Sequence, residues 1–310
     1  NPATQPRTVL SVANAAESPT VLCARREMES WALLQLEPAA LREPDPVNAS
    51  FHLAPNGGHL ASTLYHLAQV ALHGNPDTQI ADLDNSVYAQ TANRLGELID
   101  DVDTIAVDRD DKREILTLLV TGKDGTAYPA RSLSDGTLRF LALTILEMDP
   151  RARGLLCLEE PENGIHPARI TAMLTLLQDI ATDTDEPIDD TNPLRQVIVN
   201  THSPAVVLNV PDDALLVVEA REATNQGNQV FKRAVFSHLP DTWRQRADPD
   251  ARTVSKGTLL AYLNPVSTDG EARDGAFPRI GRPPFHGAAQ SRRRVVDRAD
   301  LQPYLPYVAE

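Results

Sequence analysis

The sequence predicts an α/β fold built around a sheet of parallel strands. From residue 132 onward, short apolar runs alternate with helical patterns, and two of these runs end abruptly in polar residues. Buried strands that alternate with helices are typical of a parallel sheet with helices packed on it. The chain has 310 residues, 42% of them hydrophobic, which is enough for a sizeable core.

Residues 1–130 are expected to hold the remainder of an N-terminal lobe and a helical insertion. Ser18 followed by proline supplies a cap and a first turn for a helix over 18–31. A short strand is expected over 31–36. Three prolines between residues 38 and 46 are then expected to break regular structure.

The insertion before residue 130 is predicted to combine helices with a β-hairpin. Apolar residues at helical spacing predict one helix from Leu60 and a second over 76–99. Two β-like runs follow, at 104–108 and 113–120. Residues 123–126 have the composition of a hairpin turn.

Residues 131–265 carry the predicted sheet. A helix that is apolar almost all round is expected over 138–147, and a helix with one apolar face over 170–180. Short apolar runs predict buried strands at 154–158, 196–200 and 214–218. The remaining residues, 266–310, are rich in Pro, Gly and Arg and predict an irregular tail.

Charge and composition restrict the possible functions. The net charge of −14 argues against a broad nucleic-acid surface, so any contact with DNA would need a local patch or a partner. No stretch approaches the roughly 20 apolar residues of a membrane span, and the first residues do not resemble a signal peptide. The two cysteines, Cys23 and Cys157, lie outside any CxxC pair and fit a reducing, cytoplasmic setting.

Polar residues at the ends of two predicted strands form the first candidate site. One strand leads directly into Glu159 and Glu160, and the next ends ahead of Thr201 and His202. Ligand sites in open α/β sheets lie at the carboxyl ends of parallel strands. Adjacent strand residues point to opposite faces, so one carboxylate can hold Mg²⁺ while the other orients and deprotonates a water. A solvent-facing strand end, and a structural role for His202, are the plain alternatives.

A helix N-terminus forms the second candidate site. Ser134 is a good N-cap for the buried helix, and Gly136 allows the backbone to approach a ligand closely. The free N–H groups of a helix N-terminus attract phosphate. Taken alone, this segment is equally consistent with a plain capped helix.

Together these segments resemble the conserved loops of ABC-type ATPase heads. Residues 133–137 resemble the signature loop, 155–160 a Walker B strand with its catalytic glutamate, and 163–167 the D-loop, while Thr201 and His202 resemble the switch-histidine loop. The segments Ser-Leu-Ser-Asp-Gly-Thr-Leu-Arg-Phe and Leu-Glu-Glu-Pro-Glu-Asn-Gly-Ile-His-Pro are similar to segments of bacterial ATPases related to RecF, chromosome-maintenance and OLD-family proteins.

The resemblance implies ATP and Mg²⁺ as ligands and assigns roles to individual residues. Glu160 is the expected catalytic base, His202 the γ-phosphate sensor, and Glu159 the metal ligand at a position where the family usually has Asp. Because such heads sandwich two ATP molecules between two subunits, the resemblance also implies a homodimer. The residues expected to contact nucleotide, some of them in the opposite subunit, are Ser134, Asp135, Gly136, Asn163 and His166.

One part of such a site is absent from the sequence. No GxxxxGK[ST] phosphate-binding loop occurs, and in this family that loop precedes everything seen here. Since the chain also begins without Met, it is expected to be a C-terminal portion of a longer protein, with a naturally split or inactive ATPase as the alternative.

The expected function is ATP hydrolysis by a sandwiched dimer that drives or gates a DNA-repair or anti-phage partner, such as a separately encoded nuclease. The alternative is a non-hydrolysing interaction or regulatory module with the same fold. Transporter ATPases share these loops, but the amino-acid sequence after Glu160 argues against a transporter ATPase. A nuclease within this chain is not favoured, because the run at 214–219 lacks the glycine and the later Asp-x-Asp of a TOPRIM domain.

Overall fold

The computed structural model of the protein describes residues 18–74, 87–189, 191–225 and 228–263, together with Ser11; of residues 71–74 only the backbone is described. All of them belong to one contact unit, Asn1–Val266. The predicted irregular tail over 266–310 therefore lies outside the described residues.

The elements follow each other in an order close to that predicted. The helices are α1 (Pro19–Glu29), α2 (Pro38–Arg42), α3 (Leu60–Gly74), α4 (Val87–Gly96), α5 (Asp135–Met148), α6 (Ile170–Ile180), α7 (Pro204–Asn209), α8 (Trp243–Ala247) and α9 (Lys256–Leu263). The strands are β1 (Ala32–Leu34), β2 (Asp45–Pro46), β3 (Val102–Asp110), β4 (Ile115–Gly122), β5 (Ala127–Pro129), β6 (Gly154–Glu159), β7 (Arg195–Asn200), β8 (Leu216–Thr224) and β9 (Val230–His238).

The central sheet confirms the predicted α/β architecture. Its strands run parallel in the order β1-β6-β7, and α6 forms the crossover between the last two. Leu156 and Leu158 of β6 are buried in one cluster with residues of α5 and α6, among them Phe140 and Met173. The sheet is therefore held by helices packed on its inner face, which is how parallel sheets bury apolar side chains.

The predicted β-hairpin before residue 130 is also confirmed. β4 pairs antiparallel with both β3 and β5, and the turn at 123–126 joins β4 to β5. Buried and half-buried residues alternate along β4, as expected for a strand with one face on the core. Leu116, Leu118 and Val120 belong to the same core cluster as the parallel sheet.

Helix α5 is buried almost all round, as its sequence predicts. Leu138, Leu141 and Leu143 are fully buried. Ser134 is the N-cap that precedes the helix, and its hydroxyl oxygen accepts the N–H of Thr137 at 3.1 Å.

At the C-terminal end of α5, backbone carbonyl oxygens accept hydrogen bonds from a residue of a distant strand. No local sequence pattern predicts this contact. The buried guanidinium of Arg195, on β7, donates hydrogen bonds to the carbonyl oxygens of Glu147, Asp149 and Ala152. Cationic donors at a helix C-terminus satisfy its unpaired carbonyl groups. Strand β7 is thereby tied to the end of α5.

Two predictions about local structure were wrong. The run at 214–218 is not a buried strand of the parallel sheet: its residues 216–218 begin β8, which pairs antiparallel with β9, and Leu216 and Val218 are 48% and 57% exposed. A short apolar run shows strand propensity but not which sheet the strand joins. The proline-rich segment, expected to be irregular, contains the short helix α2, which begins at Pro38 because proline suits the first turn of a helix.

The second face of the parallel sheet is only partly covered in the described part of the chain. Leu33, Cys157 and Ile198 are neighbours across β1, β6 and β7, so their side chains share one face. Leu33 is 61% exposed and Ile198 54% exposed. Parallel sheets in α/β proteins are normally covered on both faces, so this apolar row marks a packing surface.

None of the helices in the described ranges has the length and apolar character that crossing a lipid bilayer requires.

Candidate functional site

The carboxyl ends of the three parallel strands bring polar side chains to one edge of the sheet. Gln35 follows β1, Glu159 ends β6 and Asn200 ends β7. The side-chain amide of Gln35 donates a hydrogen bond to Glu159 Oε2 at 2.6 Å. The N–H of Glu160 donates to the carbonyl oxygen of Asn200 at 2.8 Å, so the ladder between the strands continues one residue beyond β6.

Glu160 has an unusual backbone conformation. Its φ is 43°, in the left-handed region that residues other than glycine seldom adopt. Such a conformation persists only where the surroundings hold it, and it is common at functional sites. The amide of Asn163 donates to Glu160 Oε2 at 2.6 Å, so the carboxylate is held by the turn that follows the strand.

The loop after β7 presents His202 to solvent at the same edge. The N–H of Ser203 donates to Thr201 Oγ1 at 3.0 Å, closing a small turn across His202. The hydroxyl of Thr201 in turn contacts the buried carboxylate of Glu162, in the turn that follows β6. The structure thus places the two predicted strand-end segments next to each other.

The segment that resembles a signature loop packs on the loop that resembles a D-loop. A Cβ atom on Gly136 would overlap the carbonyl oxygen of Gly164, so only glycine allows the two backbones to approach this closely. Arg139 donates to the carbonyl oxygen of Asn163. The N-terminus of α5 and the turn after β6 therefore form one continuous surface.

Asp135 is held by an arginine from α2. Arg42 forms an ion pair with the carboxylate of Asp135 and donates to the carbonyl oxygen of Leu133 at 3.1 Å. Ser134, between them, uses its hydroxyl to cap α5. The loop is therefore fixed within its own chain, while the predicted nucleotide contacts of Ser134, Asp135 and Gly136 stay predictions.

His166 has a structural role in this chain. Its Nδ1 accepts the N–H of Ala168 at 3.2 Å and caps the 3-10 turn Pro167–Arg169. This contact orients the ring at the end of the D-loop-like segment. A contact between His166 and nucleotide stays a prediction.

The strand-end groups fit a magnesium ion that is bound chiefly through nucleotide phosphates. Such an ion takes one or two protein carboxylates and fills its octahedral shell with phosphate and water oxygens. Glu159 offers an exposed carboxylate at the strand end, oriented by Gln35. Within the described ranges no cluster of three His, Cys, Asp or Glu side chains could hold a metal by itself.

The sequence did not reveal three residues of this site. Gln35 was included in a strand predicted over 31–36. In the structure β1 ends at Leu34, and Gln35 is the first residue after the strand. Arg42 and Glu162 act across 93 and 39 residues of chain, on Asp135 and Thr201. The early end of a strand could have identified Gln35, but no local pattern marks the other two.

Comparison with solved structures gives a distant similarity. The Smc head domain with a coiled coil and joint derived from Pyrococcus yayanosii shares 10% sequence identity, with a TM-score of 0.33. The match covers 57% of this chain and 28% of that chain, so this chain spans well under two thirds of it. No curated protein sequence matches the chain significantly.

Comparison with protein families gives a direct match. The family model described as "AAA domain, putative AbiEii toxin, Type IV TA system" matches residues 20–209. The matched residues include β1, β6 and β7 and every strand-end residue described above. Because the model spans more than half of the chain, the chain belongs to this family of AAA domains.

Proposed function

We propose that this chain binds and hydrolyses ATP at the carboxyl edge of the β1-β6-β7 sheet. The observation that carries the proposal is the convergence at that edge of Gln35, Glu159, Glu160 and the loop that bears His202. These groups supply a carboxylate for a cation, a second carboxylate that can act as a base, and an exposed imidazole. An ATPase site needs a ligand for the metal ion and a group that orients or deprotonates the attacking water, and the imidazole can add a hydrogen bond to phosphate.

Each residue has a distinct part in the proposed reaction. Glu160, held by Asn163, accepts a proton from the attacking water as that water bonds to the γ-phosphorus and the bond to the β–γ bridging oxygen breaks, which releases ADP and phosphate. His202, exposed at the edge, donates a hydrogen bond to a γ-phosphate oxygen. Glu159, oriented by Gln35, binds the magnesium ion, directly or through water. When bound, Mg²⁺ neutralises charge on the phosphate oxygens.

The proposed site also needs a phosphate-binding loop, and the structure offers a place for one. The sequence contains no GxxxxGK[ST] segment, and within the described ranges β7 pairs only with β6. A further parallel strand on the outer edge of β7, followed by a helix over the row formed by Leu33, Cys157 and Ile198, would deliver such a loop to the carboxyl edge. We therefore propose that a strand–loop–helix segment bearing this loop, which is not among the 310 residues, completes the site.

The signature-like loop supports a head-to-head homodimer. The 14-residue helix α5 begins directly after Ser134, and helix N-termini attract phosphate through their backbone N–H groups and dipole. The hydrogen bonds and ion pair that fix this loop would also preorganise it for a phosphate on a second subunit. We propose that ATP is held between two copies of the chain in this way, as the resemblance to RecF and OLD-type ATPases implies.

The proposed role of turnover is to drive or gate an effector. The matched family's description names a toxin of a type IV toxin–antitoxin system, which is in line with a partner used in defence against phage, such as a separately encoded nuclease, or in DNA repair. A non-hydrolysing regulatory module is the second candidate, and the missing phosphate loop is the observation that favours it. A three-part organisation over 1–130, 131–265 and 266–310 and a cytoplasmic location belong to the same proposal.

The test is Mg-ATP hydrolysis by the purified protein together with the proposed phosphate-binding segment, measured as phosphate release beside ATP binding. Glu160→Gln is expected to lower turnover by about 10²-fold or more and to leave binding intact, since only the proton acceptor is lost. Glu222→Gln, on the exposed side of β8, is the matched control and should hydrolyse ATP normally. Equal turnover in Glu160→Gln would refute the assigned role, and binding without any turnover in the parent protein would support the regulatory module.

A further inference from the structure

We propose that Glu162 is a positioning residue that couples the loop bearing His202 to the turn bearing Glu160. The inference rests on the proposed function and adds to it a residue with no assigned role. It starts from a buried carboxylate: Glu162 is 7% exposed, and its Oε2 is buried without a hydrogen-bond partner among the described residues. A buried carboxylate with one unpaired oxygen is costly for stability.

The hydrogen bonds of Thr201 link the Glu162 carboxylate to the loop that bears His202. Thr201 Oγ1 accepts the N–H of Ser203 at 3.0 Å, so its own hydroxyl hydrogen is free to point elsewhere. That hydroxyl donates to Glu162 Oε1. The result is a continuous chain from Ser203 through Thr201 to Glu162, and its first bond spans His202.

The other end of the chain lies in the turn that holds the proposed base. The N–H of Asn163 donates to the carbonyl oxygen of Glu160 at 3.1 Å, and the Asn163 side chain donates to Glu160 Oε2 at 2.6 Å. Glu162 lies inside this turn, between Glu160 and Asn163. Its carboxylate therefore fixes the position of the His202 loop relative to the turn that orients Glu160.

This arrangement predicts a specific kinetic effect. The Glu162 carboxylate is buried and bonded to Thr201, so we propose that the pair acts without contacting ATP and that its loss leaves the KM for ATP nearly unchanged. They set the relative position of two reacting groups, and small displacements of such groups lower kcat strongly. A merely structural role would instead appear as lost stability with little specific effect on kcat.

The first experiment removes the hydroxyl of Thr201 without changing its shape. Thr201→Val is expected to lower kcat about tenfold or more with a similar KM, while Thr201→Ser, which keeps the hydroxyl, should stay close to the parent. In a His202→Ala background, Thr201→Val should cause little further loss, because it acts through His202. An unchanged kcat in Thr201→Val, or full additivity with His202→Ala, would overturn the proposal.

A second variant separates positioning from stability. Glu162→Met combined with Thr201→Val replaces both partners by apolar groups of similar size, a change that is often nearly neutral for folding. We expect a melting temperature close to that of the parent together with the same loss of kcat. A large fall in melting temperature, with kcat preserved at a temperature where the variant is folded, would assign the pair a structural role.

A third readout does not depend on turnover. The Ser203 amide should exchange its hydrogen slowly in the parent and faster in both Glu162→Met and Thr201→Val, measured by NMR. Unchanged exchange in Glu162→Met would show that the carboxylate does not hold the loop and would overturn the coupling. If the protein supplied with the proposed phosphate-binding segment fails to hydrolyse ATP, the proposed function is refuted, and the exchange measurement still decides whether Glu162 holds the His202 loop.

Discussion

Gln35 and Glu159, separated by 124 residues of chain, are joined by a 2.6 Å hydrogen bond at the carboxyl edge of the sheet. The amide donates and the carboxylate accepts, so Gln35 fixes the direction of the group proposed to hold magnesium. Groups that orient a metal ligand affect metal affinity without touching the metal. The contribution of Gln35 to Mg²⁺ affinity can therefore be measured separately from its effect on the catalytic rate.

The first prediction concerns the Mg²⁺ requirement of the Gln35→Ala variant. Without the amide, Glu159 loses its fixed orientation, and the Mg²⁺ concentration for half-maximal ATP turnover should rise about tenfold. A titration of turnover with MgCl₂ at saturating ATP measures this. Gln178→Ala, exposed on α6, is the control and should leave the titration unchanged. Identical Mg²⁺ curves for Gln35→Ala and the parent would contradict the role of Gln35.

The second prediction concerns the close approach of Gly136 and Gly164. Gly136→Val is expected to lower the free energy of unfolding by about 1–3 kcal/mol, because the new side chain would overlap a backbone carbonyl. It should also separate the signature-like loop from the turn after β6. Gly96→Ala is the control: a Cβ there meets no atom within 4 Å, so urea denaturation should show a neutral or slightly stabilising change.

The third prediction concerns the buried guanidinium of Arg195, whose pKa is lowered by burial. Arg195→Met would leave the carbonyl oxygens of Glu147, Asp149 and Ala152 without their donor. We expect a loss of at least about 3 kcal/mol in the free energy of unfolding. Arg246→Met, on the exposed side of α8, should cost almost nothing. Similar denaturation midpoints for the two variants would contradict this assignment.

The fourth prediction concerns the pH dependence of stability at His66. Burial, then the nearby Arg151 and His52, lower the pKa of His66 below its ordinary value of 6.5, and Asp149 opposes them. The unfolded chain therefore binds the proton more readily, so this contribution to stability is full above about pH 6.5 and is lost as the pH falls through the lower folded-state pKa.

Replacing His66 with Phe tests that dependence. Phenylalanine can keep the stacking on Phe51, whose ring centroid lies 4.5 Å away, but it does not titrate. The free energy of unfolding of His66→Phe should fall less than that of the parent between about pH 7 and pH 5. Parallel curves for the two proteins would show that His66 does not contribute.

Much of the fold could be predicted because its elements carry strong local patterns. Helix α5 is apolar on nearly every side, and β6 is an apolar run that ends at Glu159, so both were found close to their true bounds. The order of these elements was also enough to indicate a parallel sheet. The placement of β8 could not be predicted, because its apolar residues show that it is a strand without showing its partner.

The candidate site could be predicted only where its residues follow a strand or begin a helix. Glu159, Glu160 and His202 stand at such positions. Glu162 and Arg42 act instead through contacts between segments far apart in sequence, which leave no periodicity. The left-handed backbone of Glu160 was equally hidden, since it depends on the tertiary contacts that hold the turn rather than on the residue type.

The contacts of Arg195 also bear on how this protein assembles. A guanidinium loses its water only when replacement acceptors are already in place, and here those acceptors lie 43 to 48 residues earlier in the chain. We therefore expect strand β7 and the end of α5 to become ordered together, because each satisfies polar groups of the other. Strand β7 and helix α5 should fold and open as a single cooperative unit. The strand that precedes His202 should therefore become ordered together with the helix that Ser134 caps.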